Sequence, residues 1–141
     1  MKVRFFVTTV SMLVCAVVAI GQQSSKDLMG NARTIHVSAS EGTSQDLKSE
    51  AIKKLVKWGK LSVVSEPDKA DLILKVELTR GYSAWKGKGA RGAAELIDRQ
   101  TSTVLWATSE GGDWSMSGYS SGRVGRKIAD KLIKFYNSQT K

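Results

Sequence analysis

Eight residues, Leu72 to Thr79, restrict the fold of this chain more than any other stretch. Leu72, Leu74, Val76 and Leu78 point one way, while Ile73, Lys75, Glu77 and Thr79 point the other. That period of two belongs to a strand whose sheet is buried on one face only. A one-sided sheet needs an apolar layer laid against it, and two segments can supply one. Thr43, with Asp46 three residues on, approximates a capping box. Behind it Leu47, Ala51, Ile52, Leu55 and Trp58 recur at helical spacing, with Lys48, Glu50, Lys53, Lys54 and Lys57 facing water and Gly59 as the expected stop. From Ser121 onward Val124, Ile128, Leu132, Phe135 and Tyr136 form a second apolar stripe, with Arg123, Arg126, Lys127, Lys131 and Lys134 largely outside it.

Shorter signals complete the order. Ile35 and Val37 alternate in a strand over Thr34 to Ala39, which Ser40-Glu41-Gly42 then turns. Leu61 to Val64 reads as another strand, ended by a turn from Ser65 to Lys69 in which Pro67 forbids a central strand. Arg91 to Arg99 and Thr103 to Ser109 read as two more, joined by the polar turn Gln100-Thr101-Ser102. The order β-α-β-β-β-β-α predicts a single α+β domain over residues 33–141: a mostly antiparallel sheet with two helices packed on one face.

The N-terminus reads as an address. Lys2 and Arg4 precede the mostly apolar run Phe5 to Ile20, which closes on the small residues Ala19 and Gly21. A basic start, an apolar run and an A-x-G site make Met1 to Gly21 a secretory signal peptide cut before Gln22. Sixteen residues fall short of the roughly 20 that span a bilayer, which disfavours an uncleaved anchor. Val14 before Cys15 is large for lipoprotein processing, and the apolar run continues past it. Polar residues 22–32 show no periodicity and predict a flexible leader. Removal of 21 residues takes the formal charge from +9 over 141 residues to +7 over 120, and takes away the only cysteine. The rest has no disulfide framework, Cys-based zinc site or cysteine nucleophile, so its core must carry its stability. The expected location is the periplasm or the cell surface.

Three local patterns support a family resemblance. Lys57-Trp58-Gly59-Lys60-Leu61-Ser62-Val63-Val64 is followed by Lys69-Ala70-Asp71-Leu72-Ile73-Leu74-Lys75-Val76, and Asp98 to Ala107 follows the form D-x-x-T-x-x-φ-L-W-A. Together they resemble small exported bacterial envelope proteins of uncharacterised function, similar in pattern to the α/β core of the CsgG-like curli-assembly and TolB N-terminal domains. The resemblance runs over roughly Thr34 to Tyr136 and implies a fold. It transfers no catalytic residue.

Patterns that invite a catalytic reading have simpler explanations. Gly87-Lys88-Gly89-Ala90-Arg91-Gly92 matches G-x-G-x-x-G, but a strand follows where phosphate cradling needs a helix, so a flexible hairpin loop is expected. Gly81 to Lys88 misses the Walker A spacing by one residue. His36 has no second His and no nearby Cys, which predicts a solvent-facing or hydrogen-bonded ring and no metal site. The serines of Ser115 to Ser121 lie in no G-x-S-x-G turn. Glu77 and Glu95 could share a sheet face as a glycosidase pair, but exposed strand charges beside Lys75 account for them more simply.

Topology offers one binding constellation. Successive hairpins would bring a loop from Arg80 to Ala90 and the segment Glu110 to Ser120 to the same end of the sheet. Tyr82, Trp85, Trp114 and Tyr119 then gather near Arg80, Lys86, Lys88 and Arg91, where aromatic faces and cations would suit a sugar-bearing or anionic ligand. The competing explanation is that the tryptophans cap the core and the cations keep the loop solvated. Export separates the basic chain from intracellular nucleic acid, so the expected partners are an anionic envelope polymer, a lipid head group or an envelope protein. The expectation is a non-enzymatic exported binding or assembly module without a cofactor. The alternative is a small hydrolase or transferase acting on envelope polymers through loop serines and carboxylates.

Overall fold

A computed structural model describes residues 24–83, 87–110 and 121–141. Five strands, β1 (Thr34–Ala39), β2 (Ser62–Val63), β3 (Leu72–Ser83), β4 (Gly87–Asp98) and β5 (Val104–Glu110), form one sheet in the order β2-β1-β3-β4-β5. The helices are α1 (Ser25–Asn31), α2 (Gln45–Trp58) and α3 (Ser121–Gln139), with a short 3₁₀ turn at Pro67–Lys69. The domain is α+β, as expected. Its sheet is mixed: β1 runs parallel to both β2 and β3, while β3, β4 and β5 are antiparallel. The antiparallel ladders are the longer ones, so by length the sheet is mostly antiparallel. The parallel pairs follow from chain reach, because α2 and the 3₁₀ turn return the chain to the sheet end where β1 began.

The alternation at Leu72 places Leu72, Leu74 and Val76 against the helices, together with Ile35 and Val37 of β1 and Leu96 of β4. Leu47 and Leu55 of α2 and Val124, Ile128 and Leu132 of α3 close the same core. Ser44, one residue later than expected, caps α2: its Oγ accepts from the Asp46 amide at 3.3 Å and lies 3.0 Å from Ser121 Oγ at the start of α3. The shift follows from the preceding turn, in which the Thr43 amide donates to the Ser40 carbonyl. Gly59 adopts φ 73° and ends α2 as its sequence position implies. Gly125 lets α2 and α3 approach closely, since a Cβ there would collide with the Leu47 carbonyl oxygen.

Residues 24–32 correct the expectation of a flexible leader. Ser24 caps α1, and Met29 is fully buried in the core. The Tyr136 hydroxyl donates to the Met29 carbonyl at 2.9 Å, and the Tyr136 ring meets Trp58 edge-on at 5.0 Å. One buried apolar residue in seven makes no periodicity; α1 is held by α3 and not by an amphipathic face of its own.

Candidate functional site

Of the predicted aromatic and basic constellation, Arg80, Tyr82, Lys88 and Arg91 fall on the β3–β4 hairpin. The expected loop from Arg80 to Ala90 is largely strand: pairing continues through Arg80↔Ala90, Gly81↔Gly89 and Tyr82↔Lys88 to Ser83↔Gly87. The glycines contribute no side-chain pattern, but their backbone groups still pair, which is why periodicity missed this stretch. β5 is paired with β4 only as far as Gly92↔Glu110. Among the described residues the β3–β4 ladder runs five residues of β4, or roughly 17 Å, past that pair. Tyr82 and Lys88 are register partners on this ladder, and Arg91 is exposed opposite Thr79. Trp85, Lys86, Trp114 and Tyr119 lie outside the described residues.

The flexible loop expected for the G-x-G-x-x-G stretch is replaced by strand β4. Its last glycine has a packing role: a Cβ on Gly92 would collide with Val124 Cγ1 of α3. Lys75 stands directly across from Glu95, and Glu77 faces Ala93, so this carboxylate pair sits on an exposed sheet surface beside a cation. The His36 ring is half-buried with Nδ1 3.0 Å from the Val64 carbonyl, which places its proton on Nδ1. Among the described residues, no group of three His, Cys, Asp or Glu side chains is arranged to hold a metal ion, and no helix is long and apolar enough to cross a membrane.

The residues that carried the family resemblance hold the fold together. Asp71 Oδ2 accepts from the backbone amides of Arg33 at 2.8 Å and Thr34 at 3.0 Å, and from the Thr34 hydroxyl at 3.0 Å. The Arg33 amide foremost, with Thr34 assisting against a desolvation cost, holds the Asp71 carboxyl below its ordinary value. Asp98 Oδ2 accepts from the amide and the hydroxyl of Thr101, both at 2.8 Å, which builds the β4–β5 turn. Trp106 of β5 stacks on Phe135 of α3.

Sequence reasoning missed a cleft at the other end of the sheet, where β1, β2 and β3 begin. It has a volume of about 580 Å³ and lies between α1, the entry to β1 and the end of α3. Lys26, Arg33, Lys60 and Lys141 line it with a single acidic side chain, Asp27. Burial raises the Tyr136 hydroxyl above its ordinary pKa, and the charge of Arg33 partly offsets that effect. The missing signal was α1: residues 22–32 carry no periodicity, so the sequence shows no wall on which these cations could gather.

The fold defines a class, a one-sheet α+β domain with helices on one face. Several solved bacterial structures share it. TolB from Acinetobacter baumannii superposes with a TM-score of 0.56 at 12% identity, over 73% of this chain and 28% of that one. A point variant of the PelC dodecamer from Paraburkholderia phytofirmans gives 0.52 at 20% identity, over 71% of this chain and 86% of that one. Protein XCC0632 from Xanthomonas campestris gives 0.52 at 11% identity, over 76% and 85%. At such identities the likeness is one of fold. No protein-family model and no curated protein matches the sequence.

Proposed function

We propose that this chain is an exported, non-enzymatic binding or assembly module of the bacterial envelope. The observation that carries the reading is a fold shared, over most of both chains, with a PelC subunit, in a chain that opens on a signal-like segment. PelC is a dodecamer, so self-association is one form of assembly this fold supports. The TolB likeness and the sequence patterns favour the same compartment, with CsgG-like assembly domains as a related case. Periplasm or cell surface is the proposed location, reached after cleavage near Gly21.

On this reading the hairpin end, with Tyr82, Trp85, Lys86, Lys88, Arg91, Trp114 and Tyr119, meets an anionic envelope polymer, a lipid head group or an envelope protein. Support comes from the long β3–β4 ladder, which makes Tyr82 and Lys88 register partners, and from the exposure of Arg91. The test combines fractionation of the producing cells with crosslinking and pull-down from their envelope. Trp85→Ala and Lys88→Glu should keep the parent's thermal midpoint and lose most of the captured partner. If both variants retain the parent's partners, the hairpin end is not the contact surface. Recovery of the protein from the cytoplasm alone would exclude the envelope reading.

A further inference from the structure

An excess of positive charge gathers in the cleft walled by α1, where four cationic side chains meet one carboxylate, Asp27. On the outer faces of α2 and α3 many cations have carboxylate partners: Lys53 and Arg126 bind Glu50, Lys54 binds Asp130, and Lys131 binds Glu110. The cleft differs. Among the described residues, neither Lys26 nor Arg33 has an ion-pair partner, and the Lys60 ammonium donates to the neutral Asn137 Oδ1 at 3.0 Å. Bringing Lys26, Arg33, Lys60 and Lys141 together with Asp27 as the one acidic side chain of the lining is unfavourable in the free protein and becomes less so when an anion enters.

We infer that the cleft between Lys26, Arg33 and Lys60 is a binding site for a phosphate-bearing anion. Arg33 offers the planar fork that matches phosphate oxygens, while the two lysines act as compact point charges. Asn31 and Gln139 add neutral amide donors to the lining. The negative end of α3 faces this region, but the amide and hydroxyl of Thr140 both donate to the Tyr136 carbonyl, occupying one acceptor that would repel an anion. A volume of about 580 Å³ exceeds the needs of inorganic phosphate and has room for an esterified group. Such a group could belong to a lipid head or to a soluble phosphate ester. The inference goes beyond the hairpin reading and does not depend on it, because the two sites occupy opposite ends of the sheet.

The test uses the protein purified from producing cells. It is titrated with glycerol phosphate, and separately with phosphatidylcholine vesicles with and without phosphatidylglycerol, while backbone amide shifts and co-sedimentation are read. Saturable shifts centred on Lys26, Gly30 and Arg33 are expected, and their map on the parent needs no variant. Lys26→Glu with Lys60→Glu should weaken binding by roughly tenfold or more. Lys48→Glu with Lys134→Glu makes the same charge change outside the cleft and should shift it less than about twofold. Capture by glycerol phosphate identifies a soluble ester as sufficient, and capture by anionic vesicles alone identifies a lipid head; either supports the site. The inference is overturned if neither probe binds, if shifts centre elsewhere, or if both double variants lose binding equally. Partner capture retained in Trp85→Ala and Lys88→Glu while glycerol phosphate still binds the cleft would overturn the hairpin reading alone, and capture lost in those variants with no anion binding at the cleft would overturn this inference alone.

Discussion

Asp71 shows how one side chain can set the start of a sheet. Its carboxylate collects the Arg33 and Thr34 amides and the Thr34 hydroxyl, and its own amide donates to Thr34 Oγ1 at 2.9 Å, so the first turns of β1 and β3 are locked in register. These bonds favour the ionised form, and the folded pKa is therefore depressed. The corresponding stability is fully present above the ordinary value of 3.8 and is lost as pH falls through the depressed folded value. Asp71→Ala should lower stability by about 1 kcal/mol near neutral pH, a figure kept small because the group is solvent-exposed. The gap to the parent should narrow in acid. Denaturant melts across the pH range check this, and a gap that widens below pH 3.8 would refute the assignment. Asp71, Asp98, Trp58 and Gly59 were visible in the sequence as a recurring pattern. Their roles as latch, turn and cap became clear only once their partners were placed.

At the level of elements, α2 and α3 were legible because each carries an apolar stripe long enough to show its period, and β3 because its alternation is unbroken. The element that escaped was α1. Seven residues with Met29 as the one fully buried side chain carry no local signature, and the helix depends on Tyr136 and the core for support. Met29→Ala should therefore cost about 2–5 kcal/mol, a core-sized loss from a segment that reads as a tail. Hydrogen exchange would show α1 amides protected in the parent and exposed in the variant. Unprotected α1 amides in the parent would mean that the segment is not docked. The outer parts of β3 and β4 escaped for a related reason: in Gly81, Gly87 and Gly89 the ladder is made by backbone alone, and the sequence shows turn-like composition where the structure has strand.

Over the whole molecule, the helices cover one sheet face and leave two separated ends available. From Leu72 to Ser83 β3 runs roughly 35 Å, so the hairpin end and the basic cleft share no residue and lie well beyond direct coupling distance. Arg91→Glu should leave the thermal midpoint within about 2 °C of the parent, because the residue is an exposed strand position outside the core. The same variant should leave glycerol phosphate affinity at the cleft within about twofold. Calorimetry and the amide titration measure the two quantities, and a large change in either would reveal coupling through the sheet. Positive charge is thus partly paired on the helix faces, through Lys53, Lys54, Arg126 and Lys131, and is gathered with a single carboxylate, Asp27, around the cleft.

The class of fold, the two long helices, the buried face of β3 and the reliance on a core without disulfides were all readable along the chain, since periodicity and residue chemistry are local properties. The parallel pairing of β1, the existence of α1 and the gathering of Lys26, Arg33 and Lys60 around one cavity emerged only from the assembled domain. Those features depend on contacts between residues far apart in sequence, such as Met29 with Tyr136 and Arg33 with Asp71. No short window along the chain contains both members of such a pair, so their consequences arise only when the sheet closes against its helices.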